Sequence, residues 1–188
     1  ETPVSPFALP NIRLFVLFRV LFNARFYYPV FTILFLDYGL SLEQFSLLNT
    51  VWALTIVLAE VPSGALADII GRRRLIVTTS FLMVAEMALI CFVPLRNGTL
   101  IFSVFLLNRI LSGLAEALAS GADEAIAYDS LAAEGDTRDW PLVLSVQMRL
   151  RSVAAVVSMA VGQAGLPPKL LAALFWIIVF FAAMSGLA

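Results

Sequence analysis

Gly64-Ala-Leu-Ala-Asp68-Ile-Ile-Gly71-Arg72-Arg73-Arg74 separates two long apolar runs, and its reading decides the fold. From Phe45 to Ala67 the only charge is Glu60, and from Leu75 to Pro94 the only charge is Glu86. Consecutive arginines are expensive to carry into a bilayer, so the stretch reads as a tight turn at a membrane surface, on the cytoplasmic side. Gly71 offers a backbone that takes positive φ and ends one helix before the next begins. Asp68 precedes Arg72 by one helical turn, which predicts a local charge-assisted pair. Read at its plainest, the arginine triplet is a topology signal and nothing more.

Composition points the same way. The chain has 188 residues, of which 61% are hydrophobic and 13% charged, and its mean hydropathy is +0.96. A soluble domain of this size cannot hide that much apolar surface, so an integral membrane protein is expected. The apolar runs are long and unbroken, which favours helices of about 20 residues over alternating strands of about 10. A net charge of −1 argues against a nucleic-acid partner. With no histidine and a single cysteine, Cys91, neither a metal site nor another cofactor is expected. No nucleophile–base–orienter set is visible, so an enzyme is not expected.

Outward from the turn, the chain divides into six spans. Residues 1–12 form a proline-punctuated lead-in, and 13–188 form one bundle of two three-helix repeats, about 13–95 and 99–188. The first span runs from about Asn11 to Tyr38 with a kink at Pro29. Ser41 and Gln44 make a capping box for the second, Leu42 to Ile70. The third runs from about Arg73 to Pro94, and Arg96-Asn-Gly98 turns the chain. The fourth starts near Thr99 and becomes polar from Arg109 to Asp129. Trp140 reads as an interfacial anchor before the fifth span, Pro141 to Gly165. Pro167-Pro168-Lys169 leads into an uncharged sixth. An amino terminus on the cytoplasmic side puts Arg13, Arg72 to Arg74 and Arg138 inside, with Arg149 and Arg151 a little deeper. Only Arg96 and Lys169 then fall outside, as the positive-inside rule requires.

Charges at bilayer depth are the informative residues, since each costs about 2.5–3.5 kcal/mol on insertion scales unless paired or wetted. In the fourth span Arg109, Ser112, Gly113, Glu116, Ser120 and Asp123 recur at helical spacing and form one stripe. Glu124 follows directly. Arg19 and Asn23 share a face of the first span, while Arg25 is rotated away; Glu116 and Asp123 are the candidate partners of Arg19. Glu60 lies on a face with Asn49, Ala53 and Ile56, either as a titrating carboxylate or as a hydrogen-bond donor between helices. Glu86 is unexpected in a peripheral span, and Arg109 is one neighbour that accounts for it. The competing reading of Arg109 and Glu116 is a structural ion pair.

The spacing of Gly64, Asp68, Gly71, Arg73 and Arg74 resembles the loop between the second and third helices of the major facilitator superfamily, roughly Gly-x-Leu-Ala-Asp-Arg-x-Gly-Arg-Arg/Lys. Ile69 stands where the family carries a basic residue. Arg109-Ile-Leu-Ser-Gly113 is similar to a fourth-helix motif of proton-linked members, in which the arginine takes part in coupling. Ser120 to Ser130 and Glu60-Val-Pro62-Ser-Gly64 resemble stretches of a bacterial, exporter-like branch. The Gly-x-x-x-Gly-Pro run of many drug–proton antiporters is missing from the fifth span.

The resemblance implies an all-α membrane fold: a six-helix bundle, a 3+3 inverted repeat, the amino-terminal half of a two-bundle transporter. In the family the Asp68 loop makes charge contacts that steady the outward-open state. The expected function is a proton-linked secondary transporter half in a bacterial inner membrane, moving a small organic or amphipathic solute. Its partners are membrane lipid, the solute with protons, and a second six-helix half or other membrane subunits. The alternative is a transporter-derived, non-transporting subunit with an assembly role in a membrane complex.

Overall fold

A computed structural model describes residues 5–23, 35–36, 38–93 and 97–163, and all the regular structure among them is helical. After a 3₁₀ turn at Pro6–Ala8 come α1 (Pro10–Asn23), α2 (Leu42–Ile70), α3 (Arg72–Cys91), α4 (Gly98–Ala119), α5 (Ala122–Glu134) and α6 (Trp140–Gln163). The Pro29 kink, Arg25, the Arg96 turn residue, Lys169 and the sixth span lie outside the described residues.

Local chemistry explains most boundaries. Ser41 Oγ accepts from the Gln44 N–H at 3.2 Å and Gln44 Oε1 accepts from the Ser41 N–H at 3.0 Å, the reciprocal box expected for the start of α2. Asn97 caps α4 by accepting from the Thr99 N–H at 3.0 Å. Gly71 has φ 90° and stands between α2 and α3, its N–H bonded to Ala67 O at 3.1 Å. A side chain there would be strained, so a glycine ends one helix and opens the next without a loop.

The fourth span departs from expectation. It is not one helix to Asp129: it stops at Ala119 and restarts at Ala122, with Gly121 at φ 80°. The Ser120–Gly121 step therefore interrupts the stripe that runs from Arg109, and Asp123 opens a new helix instead of closing the old one.

Packing is organised on two seams. On one, α4 lies against α2 and α3; on the other, α1 lies against α6 and α5. Gly113 lets the first seam close: a Cβ at that position would stand 2.8 Å from Thr55 Cβ and 3.0 Å from Trp52 O. Phe22, Phe35, Met83, Met87 and Phe105 fill the core near the Ser41 end. Ile12, Phe15, Ala127, Leu131 and Val143 fill the opposite one. Trp140, half-buried at the start of α6, packs on Phe15 and Tyr128 at 5.9 and 5.4 Å between ring centroids.

Two helical stretches, Leu42–Ile70 and Gly98–Glu134, are long and apolar enough to cross a membrane. At 29 residues α2 extends about 43 Å. Its outer face is apolar and open, with Val61 82% and Ile69 80% exposed. Against lipid such a face costs little, and helices associate through packing and polar contacts, not dehydration.

Candidate functional site

The second residue of α5, Asp123, is the centre of the site. Because Gly121 breaks the helix, Asp123 and Glu124 fall in the first turn of α5, where unpaired backbone N–H groups and the helix dipole favour carboxylates. Asp123 Oδ1 takes the Glu124 N–H at 2.8 Å. Arg19 of α1 meets the same carboxylate edge-on. Its Nε faces Oδ2 as an ion pair, and its Nη2 donates to Oδ1 at 2.9 Å and to Glu124 Oε1 at 3.0 Å. The Asp123 side chain is 3% exposed and that of Glu124 48%, so one carboxylate is held inside and the other reaches outward. Asn23 sits one turn along α1 and donates to Arg19 O at 2.8 Å. Of the two candidate partners for Arg19, the structure selects Asp123 and adds Glu124.

A second polar cluster links α3 and α4. Asn108 Nδ2 donates to the backbone oxygen of Glu86 at 2.9 Å, and Asn108 Oδ1 accepts from Arg109 Nη2 at 3.2 Å. The Arg109 guanidinium lies 5.5 Å from the Phe35 ring centre, a cation–π contact. Glu86, Asn108, Arg109 and Ser112 are all buried. Asn108 thus joins Arg109 to the α3 backbone at Glu86. Glu116 itself is half-buried two turns further along α4. Asn108 was not among the expected site residues, masked by the arginine beside it; an amide in an apolar run was the signal.

The turn between α2 and α3 makes a different contact from the one its spacing predicts. Arg72 Nη1 pairs with Asp129 Oδ2 of α5, and Asp68 makes no ion pair among the described residues. The positive φ of Gly71 directs Arg72 across the bundle and away from the helix that carries Asp68. Gly64, Asp68, Arg73 and Arg74 are exposed.

Glu60 is exposed as well. The contact of α2 with α4 is set by Trp52 and Thr55, and Glu60 lies five residues beyond Thr55, about 140° around the helix.

Several basic residues gather at one end. Asn11 Nδ2 donates to Ser130 Oγ at 2.8 Å, and Arg72 pairs with Asp129, so the start of α1, the α2–α3 turn and the last turns of α5 share a level. Arg13, Arg72, Arg73 and Arg74 therefore stand at the same end of the molecule, and Ser41 and Asn97 at the other. Among the described residues no group of three or more His, Cys, Asp or Glu side chains is placed to hold a metal ion.

Residues 13–188 match the family model of the Major Facilitator Superfamily. No curated protein matches the chain.

Proposed function

The chain belongs to the major facilitator superfamily, a family of membrane-embedded transporters and not of enzymes, and from that premise we propose that it forms a six-helix half of a proton-linked secondary transporter. In this reading it moves a small organic or amphipathic solute across a bacterial inner membrane, its basic end cytoplasmic, and alternates access against a second six-helix half. The observation that carries the proposal is Arg19 forked onto the buried Asp123 with Glu124 beside it. Ionisable groups inside a membrane bundle are costly and are functional by default. A carboxylate held by one arginine edge, with a second carboxylate within the same reach, can hand the arginine over when a proton or a charged solute arrives.

The two packing seams support the 3+3 repeat, because α4 against α2 and α1 against α6 are counterparts under that symmetry. The Arg72–Asp129 pair supports a latch at the basic end. Exposed as it is, such a pair breaks and reforms at small cost, as a gate requires.

Everted membrane vesicles carrying the full protein test the proposal with a panel of amphipathic solutes, with and without a proton gradient. The expected result is flux of one solute class that collapses with a protonophore and is lost in Asp123→Asn. Flux that ignores both the gradient and Asp123 would overturn proton linkage at this site.

A further inference from the structure

Away from the Arg19 site, α1 and α6 leave an open groove of about 520 Å³ between them. This volume is within the range of about 300–1,000 Å³ that small ligands occupy. Its walls are apolar: Val16, Leu17 and Val20 from α1 face Leu150, Val153 and Val157 from α6. Arg13 is the one charged residue among those lining it, and it stands at the end of the groove nearest the start of α1. Its guanidinium makes no ion pair among the described residues and reaches only Ala8 O, at 3.4 Å. Arg149 is exposed on the same stripe of α6, three positions after Val146 and four before Val153.

A groove apolar along its length and cationic at one end complements one kind of molecule, an anion attached to a hydrocarbon chain. From Val146 to Val157 the α6 wall runs about 16 Å, enough to seat a single acyl chain lengthwise. The cationic end lies level with Asn11 and Ser130, at the basic end of the bundle where lipid headgroups would meet it. Basic pockets between helices at such a surface take anionic headgroups, each arginine adding about 1 kcal/mol.

We propose that the α1–α6 groove binds one anionic phospholipid, its phosphate on Arg13 and an acyl chain between Leu17 and Val153. The inference rests on membrane embedding alone and is independent of whether Asp123 couples to protons. Because the lipid bridges two helices of one seam, its headgroup would tie the start of α1 to α6 and restrain their relative movement.

The test is native mass spectrometry of the delipidated full chain in detergent, titrated with dioleoylphosphatidylglycerol or dioleoylphosphatidylcholine. One phosphatidylglycerol per chain is expected to be retained in preference to phosphatidylcholine. Arg13→Ala should weaken that retention about fivefold, and Arg13→Lys should restore most of it. Val153→Trp should fill the groove and displace the lipid with Arg13 still present. Because Arg13 and Val153 are both exposed, both variants are expected to fold. Equal retention of the two lipids, retention unaffected by Arg13→Ala, or retention unaffected by Val153→Trp would each overturn the assignment. So would a second copy of the chain covering the groove in place of lipid.

Discussion

Arg72 and Asp129 are joined by an ion pair across 57 residues of sequence, so the turn between α2 and α3 is fastened to α5. The side chains are 40% and 66% exposed, and solvent screens the pair. Its contribution to stability is therefore small, about 1 kcal/mol or less. Its value is positional, since it connects the family's loop to the same short helix that holds Asp123.

Neutralising either partner should accordingly spare the fold and impair the cycle. Arg72→Ala and Asp129→Ala are each expected to leave the melting temperature in detergent within a few degrees of the parent. Solute flux in either variant should fall severalfold. The exchange Arg72→Asp with Asp129→Arg should recover flux. If Asp68→Asn slows flux as much as Asp129→Ala, the Asp68 carboxylate has a second role that its exposed position does not explain.

Orientation is tested by single cysteines in a Cys91→Ser background. A cysteine at Arg73 and one at Arg138 should be shielded from an impermeant thiol reagent in intact cells, and one at Asn97 should be labelled. The expectation follows from the basic end of the bundle, since Lys and Arg near span ends are retained on the cytoplasmic side. Labelling at Arg73 from outside would invert the topology.

What was legible in the sequence was what is local. The Ser41–Gln44 box and the Gly71 break are decided by residues within one turn, and both appear where their spacing puts them. The choice between Glu116 and Asp123 for Arg19 was not legible, because it depends on how α1 meets α5 across the bundle. The break at Gly121 was hidden for a related reason. A glycine inside an otherwise helical pattern costs only about 1 kcal/mol, so the pattern alone does not say whether the helix passes through it. The facing of Glu60 has no periodic signal to announce it, because α2 is apolar on nearly every side. Asp129 lies within a stretch that resembles the family, yet no spacing rule connects it to Arg72.

Three glycines separate backbone need from packing need. Gly71 and Gly121 have φ of 90° and 80°, and a Cβ at either would meet nothing within 4 Å, so alanine there strains the chain without a clash. Gly113 has ordinary helical φ but no room beside Thr55. Gly71→Ala and Gly121→Ala should each destabilise by more than about 1 kcal/mol, read as a lowered melting temperature that no neighbouring change repairs. Gly113→Ala should be repaired in part by Thr55→Gly, which removes the atom 2.8 Å away. Absence of any repair would mean that the Trp52 carbonyl, not Thr55, limits the approach of α2.

The sharpest test concerns Arg19 and Asp123, because the two readings of a buried ion pair predict opposite results for the double mutant. Removing one partner leaves a charge in a poorly hydrated site, which typically costs about 3–5 kcal/mol; replacing both with apolar side chains is often neutral or better. Asp123→Leu alone should therefore lower stability substantially, with Glu124 softening the loss because Arg19 Nη2 already donates to it at 3.0 Å. Arg19→Met alone should cost less than a full charge burial if Asp123 can take up a proton in its place. The double change Arg19→Met with Asp123→Leu should return the melting temperature close to that of the parent. If the pair is only structural, flux returns with it. If the pair carries coupling, the double mutant folds and inserts but its flux stays low, and what flux remains loses the proton-gradient dependence of the parent. Glu124→Gln separates the outer carboxylate from the inner one. It should leave stability nearly unchanged, since Glu124 is 48% exposed, and slow flux only if the arginine is passed between the two acids during the cycle.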